Sequence, residues 1–196
     1  MPGSADIASV DLKTGKMTVD SRMQMISPNK TWVIAFLPDR IDFNYNYQEG
    51  TTVHKHIDDL LVYGKGLVEK VFSVFSSTTG NRLALNCKLV LENMTEDDLK
   101  QFCRRFTKPL SAYEDDSYAE WSVRFNANRI TEMMQIERQS GLTVEKNDSH
   151  SIILSMDVNT LPLNIAQRFK YDNLIFFAND AAGFVAEVTK EIESDC

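Results

Sequence analysis

The sequence predicts a two-layer α+β domain with a mainly antiparallel sheet of about six to eight strands and its helices on one face. Several short segments alternate apolar with polar residues, which is typical of half-buried strands. Two long segments, near residues 52–76 and 171–192, instead repeat apolar residues every three or four positions, the period of a helix face. Short turns between neighbouring strands favour antiparallel pairing.

Composition and charge exclude several classes of protein. The chain has 196 residues, 43% of them hydrophobic, which is long enough to bury a core without disulfides or a structural metal. Its net charge of −7 argues against nucleic-acid or anionic-membrane partners, because both depend on basic surfaces. No signal peptide or membrane-spanning run is found. Three cysteines without a CxxC spacing favour a reducing, cytoplasmic location.

Two hairpins are predicted in the first quarter of the chain. Residues 1–9 are rich in small and polar types and are expected to be flexible, so the single predicted domain spans residues 10–196. Apolar residues on both sides of Gly15 favour a short first hairpin. Residues 31–37 are apolar on both faces and residues 40–47 alternate strictly, which predicts a second hairpin.

The long helix near residues 52–76 carries Gly64 on its apolar stripe. A glycine inside a helix costs about 1 kcal/mol relative to alanine, so a compensating role is expected. Two alternatives are open at this stage. The helix approaches a strand closely at Gly64, or it kinks at Gly64 and Gly66.

The rest of the chain predicts strands around one short helix and ends in a long helix. The short helix, over residues 96–106, starts at Thr95 with the pattern of a capping box. Ser140 and Gly141 are interpreted as a turn. The predicted strands cover residues 82–92, 118–126, 130–137, 142–145 and 151–158.

One face of the predicted sheet is expected to be covered by the two long helices and the other to carry a polar ladder. The members of this ladder alternate with apolar residues along the strands: Arg40, Asp42, Asn44, Glu120, Ser122 and Arg124. Arg40, Asp42 and Arg124 are therefore candidates for ligand binding or for a protein interface.

Three short segments carry a resemblance to a known family. They are residues 36–45 (FLPDRIDFNY), 81–85 (NRLAL) and 154–159 (LSMDVN), the last of which precedes the phenylalanine-rich helix. Together they resemble a sporadically distributed bacterial family of unknown function, over residues 31–192. The resemblance implies the same order of elements and a bacterial or phage origin, and it implies no activity.

A metal-like spacing occurs at His54, His56 and Asp58. On a strand or loop these side chains point the same way and could bind zinc, and the segment resembles the start of the HxHxDH loop of the metallo-β-lactamase fold. Asp59, however, stands where that motif has histidine. On a helix, residues two apart diverge by about 200°, and the acids would simply complement the helix N-terminus. The helical interpretation is favoured, with the three residues kept as metal candidates.

Asp157 is the most informative single carboxylate. It lies near the end of an otherwise apolar strand, so it must reach solvent or find a partner. Two alternatives are open: a structural ion pair with Arg40, Arg82 or Arg124, and a ligand-binding role.

The C-terminal helix has a wide apolar face. Phe176, Phe177 and Phe184 add to its regular stripe, so that one sheet does not cover the whole face. The excess is expected to contact a partner subunit.

No catalytic residue and no cofactor is predicted. The chain lacks a glycine-rich phosphate loop and a nucleophile motif, and the spacing of Cys87 and Cys103 predicts burial. The preferred function is a non-catalytic protein-interaction module that forms homo-oligomers or binds a protein partner within a multi-protein bacterial or phage system. The alternative is a small-ligand-binding or metal-dependent enzyme that uses the His54, His56 and Asp58 segment.

Overall fold

The computed structural model describes residues 2–10, 17–37, 40–46, 57–75, 77, 79–107, 120–131, 136–161 and 166–193. These residues include eight strands and three helices. The strands are β1 (Pro2–Val10), β2 (Met17–Ile26), β3 (Trp32–Phe36), β4 (Ile41–Tyr45), β5 (Ala84–Leu91), β6 (Ser122–Ile130), β7 (Glu137–Lys146) and β8 (Ile152–Thr160). The helices are α1 (Ile57–Val74), α2 (Glu96–Phe106) and α3 (Tyr171–Glu193). All strand pairs are antiparallel, which confirms the α+β class.

The strands form two sheets of four, in the orders β1-β2-β3-β4 and β5-β8-β7-β6. The chain divides correspondingly into two compact units, Met1–Val71 and Phe72–Cys196. Hairpin-connected strands pair with their sequence neighbours, so each sheet is built from one half of the chain. The prediction of a single sheet under all the helices is therefore wrong.

The first sheet is a simple meander. β1 pairs with β2 along its whole length, from Pro2 opposite Met25 to Val10 opposite Met17. Residues 2–9, expected to be flexible, thus belong to a strand, because a backbone ladder does not require large apolar side chains. The second predicted hairpin is confirmed as β3 and β4.

Trp32 packs against two tyrosine rings within the first unit. Its side chain is buried, and its ring centroid lies 5.2 Å from that of Tyr45 and 5.5 Å from that of Tyr63 on α1. A Cβ built on Gly64 would lie 3.1 Å from Cη2 of Trp32. Close approach of α1 to β3 therefore explains the glycine in the helix.

In the second sheet, α2 and α3 pack on the same face. Leu99 and Phe102 of α2 join Ile192 of α3 in a buried cluster with side chains of β7 and β8. Nearer the start of α3, Phe177 packs against Val158. The predicted short helix is confirmed, and Thr95 and Asp98 form its capping box.

The turn predicted at Ser140 and Gly141 is wrong. Ser140 and Gly141 lie in the middle of β7, opposite Val158 and Asp157 of β8, and not in a turn. β6 and β8 pair with β7 on either side of Gly141, and these two ladders override its weak strand propensity.

Candidate functional site

The second sheet has one face packed against helices and one face that is largely polar. On β8, Leu154 and Val158 are buried on the helix side, and Asp157 is exposed on the other. The pairing register aligns the corresponding residues of all four strands in rows. We call this second surface the polar face; its polar members are Asn86, Lys88, Ser122, Arg124, Asn126, Asn128, Glu137, Gln139, Thr143, Glu145, Ser155, Asp157 and Asn159.

Two neighbouring rows of the polar face form a shallow depression of about 320 Å³. Read from β6 to β5, the rows are Arg124, Thr143, Ser155, Lys88 and then Asn126, Gly141, Asp157, Asn86. The central strands contribute mainly short side chains and the edge strands longer ones. The depression therefore follows from side-chain size along each row.

Gly141 forms the lowest part of this surface. A Cβ built on it would lie 3.1 Å from Oδ1 of Asn126, so the Asn126 amide lies over the position that a larger residue would fill. Any other residue at position 141 would have to displace this amide and would raise the floor of the depression.

The depression contains three charged side chains that are not paired with one another. Arg124, Lys88 and Asp157 are exposed, and among the described residues none of them forms an ion pair. Oδ2 of Asp157 instead accepts a hydrogen bond from Nδ2 of Asn159 at 3.1 Å. Of the two roles predicted for Asp157, the arginine ion pair is not formed, because the register puts Arg124 two strands away.

Three of the other ladder residues, Arg40, Asp42 and Asn44, lie in the first unit. Nε of Arg40 lies 3.1 Å from Oδ1 of Asp42 in an exposed ion pair at the start of β4. The predicted polar ladder is therefore divided between two sheets, with Arg40, Asp42 and Asn44 in one and Ser122 and Arg124 in the other.

The aromatic residues of α3 largely pack within their own unit. Phe177 is buried and Phe184 is partly buried against the same cluster, where its ring lies 5.3 Å from the Arg138 guanidinium. Phe176 is half-buried. This stripe therefore offers much less free apolar surface than its composition indicates.

The metal candidates fall partly outside the described part of the chain. His54 and His56 lie outside it, and Asp58 belongs to the first turn of α1. Among the described residues, no group of three or more histidine, cysteine, aspartate or glutamate side chains is arranged to hold a metal ion.

The two described cysteines are not activated nucleophiles. Cys103 is buried, and burial raises the pKa of the half-buried Cys87 thiol, so this thiol is protonated at neutral pH.

β6 is an edge strand. Two backbone hydrogen bonds at the ends of its ladder with β7 show which of its N–H and C=O groups point away from β7. The Lys146 N–H donates to the Trp121 carbonyl at 3.1 Å, and the Thr131 N–H donates to the Ile136 carbonyl at 2.9 Å. Bonded and non-bonded pairs alternate in antiparallel ladders, so odd-numbered β6 residues bond to β7. The N–H and C=O groups of Ser122, Arg124, Asn126, Asn128 and Ile130 point outward.

Sequence reasoning identified Arg124 and Asp157 but missed Lys88, Asn86 and the role of Gly141. The alternation of Asn86 and Lys88 with apolar residues in β5 could have indicated the first two. No local signal marks Gly141, because only the register brings it beside Asp157.

Comparisons with protein-family models, curated proteins and solved structures found no match. Within the described residues, no helix is both long and apolar enough to span a bilayer. Functional inference for this chain therefore rests on the chemistry of its surfaces.

Proposed function

We propose that this chain is a non-catalytic protein-interaction module that self-associates through β6, as a component of a multi-protein bacterial or phage system in the cytoplasm. The observation that supports this most directly is the long, exposed outer edge of β6, whose backbone groups have no strand partner among the described residues.

Free edges of this kind are usually protected in monomeric proteins. Short length, proline, a bulge or an inward-pointing charge prevents another strand from adding. β6 has nine residues in one-to-one register with β7 and contains no proline, and Arg129, its charged residue on the helix side, is exposed to solvent. Phe125 and Ile130 are 46% and 56% exposed on it, so a further strand would also bury apolar surface.

The sequence of β6 is compatible with pairing to a second copy of itself. Antiparallel pairing about a two-fold axis at Asn126 aligns all nine residues with outward groups opposite outward groups. Arg124 then faces Asn128 of the partner, and Arg129 faces Val123, so no two like charges are directly opposite. The product would be a continuous eight-stranded sheet.

β5, the other edge of the same sheet, is less suitable for such pairing. It has eight residues. In a symmetric pair of β5 strands, a two-fold axis perpendicular to the sheet places each residue opposite a residue whose side chain is on the same face. Such pairing is centred on one residue, so a strand of eight residues leaves one terminal residue without a partner. Its helix-side residues are also half-buried, whereas those of β6 from Phe125 onward are exposed.

Substitutions at Asn128 test this interface. Asn128→Pro removes an outward N–H without removing a bond to β7, and Asn128→Ala, the matched control, keeps the N–H. We expect the wild type and Asn128→Ala to be dimers at tens of micromolar and Asn128→Pro to be a monomer, in light scattering and sedimentation. Circular dichroism checks that both variants are folded.

Charge at the same position tests the register. Asn128→Glu would face Arg124 of the partner in two symmetric ion pairs and should tighten the dimer, whereas Asn128→Arg would face a like charge and should weaken it. A wild-type protein that is monomeric at these concentrations contradicts self-association. A dimer that is insensitive to all four substitutions contradicts the assignment of the interface to β6 but not self-association itself.

A further inference from the structure

The polar face also carries charged side chains away from the β6 edge, Lys88 on β5 and Asp157 on β8. We propose that the depression around Gly141 binds a small zwitterion of the acidic α-amino acid class, which has one ammonium group and two carboxylates. This inference does not depend on the proposed self-association, because Lys88 and Asp157 lie on β5 and β8.

The charges of the depression define the chemistry of the occupant. Arg124 and Lys88 lie on opposite edge strands, and Asp157 lies on a central strand between them. Two cations and one anion favour a ligand with two negative groups and one positive group. Asn86, Thr143 and Ser155 add amide and hydroxyl groups that can bond to either end of such a ligand.

The carboxylate of Asp157 is held in place but is not neutralised. Asn159 is 4% exposed, its Nδ2 donates to Asp157, and its Oδ1 has no hydrogen-bond partner among the described residues. A buried amide with one unsatisfied end is costly. The bond to Asp157 fixes the orientation of this amide and leaves the rest of the carboxylate available to an ammonium group.

The size of the depression limits the ligand. Its volume of about 320 Å³ is at the lower end of the range for small-molecule sites, and Arg124, Lys88 and Asp157 contribute charged groups to its lining. These features favour an amino acid over a nucleotide or an apolar ligand. Gly141 matters because a side chain there would displace the Asn126 amide and fill the space.

Titration of the full chain with L-glutamate, followed by amide NMR shifts and calorimetry, tests the site. Glutarate, which lacks the ammonium group, and 4-aminobutyrate, which lacks the α-carboxylate, are the comparison ligands. A matched concentration of sodium chloride controls for ionic strength. We expect saturable shifts of β5, β7 and β8 amides with glutamate and about tenfold weaker binding of each comparison ligand.

Two variants separate the ends of the ligand. Asp157→Asn keeps the acceptor for Asn159 and should weaken glutamate binding about tenfold without weakening glutarate binding, because the substitution removes a negative charge that repels the glutarate carboxylates. Lys88→Gln should weaken both ligands, and Glu92→Gln, an exposed control just after β5, should weaken neither. Absence of saturable shifts, or equal affinities for glutamate and glutarate, would overturn the proposal.

Discussion

At the scale of single residues, the second unit depends on one buried charge. Arg138 enters β7 on the helix side and is only 5% exposed. Its Nη1 donates to Oδ2 of Asp180 on α3 at 2.7 Å, and its guanidinium lies over the ring of Phe184, one turn further along the helix. Arg138 therefore joins α3 to the start of β7, although its Nε has no partner among the described residues.

Removing the partner of this arginine should destabilise the protein. Asp180→Ala leaves a buried guanidinium without its counter-charge, and we expect the free energy of unfolding to fall by about 2–3 kcal/mol, less than for a fully enclosed pair because Asp180 is 23% exposed. Urea denaturation measures the change. Glu187→Ala, an exposed control on the same helix, should change it by less than about 0.5 kcal/mol.

At the scale of elements, the contact between α1 and Trp32 determines which of two helix positions tolerates a side chain. Gly64 and Gly66 have the same intrinsic helix propensity and lie two residues apart. Only Gly64 faces Trp32, whose ring is held between Tyr45 and Tyr63 and cannot easily move aside. A Cβ on Gly66 would meet no atom within 4 Å.

Alanine substitutions should therefore have opposite effects at the two glycines. Gly66→Ala should raise the free energy of unfolding by up to about 1 kcal/mol through helix propensity. Gly64→Ala should lower it, because displacement of the buried Trp32 ring outweighs that gain. Thermal and urea unfolding measure both variants. Equal stabilisation by both substitutions would show that Trp32 does not restrict α1.

At the scale of the whole molecule, the described residues form two sheets of four strands each. The polar face of the second sheet and the outer edge of β6 are the two candidate binding surfaces, and Arg124 contributes to both. The net charge of −7 is compatible with a protein or small-molecule partner and unfavourable for nucleic acid.

The enzyme alternative predicts a bound metal, whereas the interaction module does not. A protein zinc site requires at least three ligands, and the described residues contain no such group. We expect metal analysis of the purified protein to find no stoichiometric zinc, manganese or magnesium, and its Tm to be unaffected by these ions. Stoichiometric zinc that is lost in a His54→Ala, His56→Ala variant would instead support the metal-dependent enzyme.

Periodicity and capping by themselves determined most elements of this protein. Three signals are local: the alternation of residues 40–47, the spacing of three and four residues in α1 and α3, and the capping box at Thr95. Each depends only on residues that are close in the sequence. The α+β class follows from the order of these elements. Arg124 and Asp157 were also identifiable, because a charged residue within a strand pattern is visible from its neighbours alone.

Only the tertiary structure decided which strands share a sheet and which side chains share a site. Strand pairing is a long-range interaction, so the separation of Arg40 and Asp42 from Arg124 could not be read from alternation. The same holds for Gly141, whose turn-like sequence is overridden by ladders on both sides, and for Lys88, which register alone aligns with Arg124. The residues of a row across a sheet are aligned by hydrogen bonds between segments that are distant in the sequence. These bonds produce no periodic pattern in the sequence of any single strand.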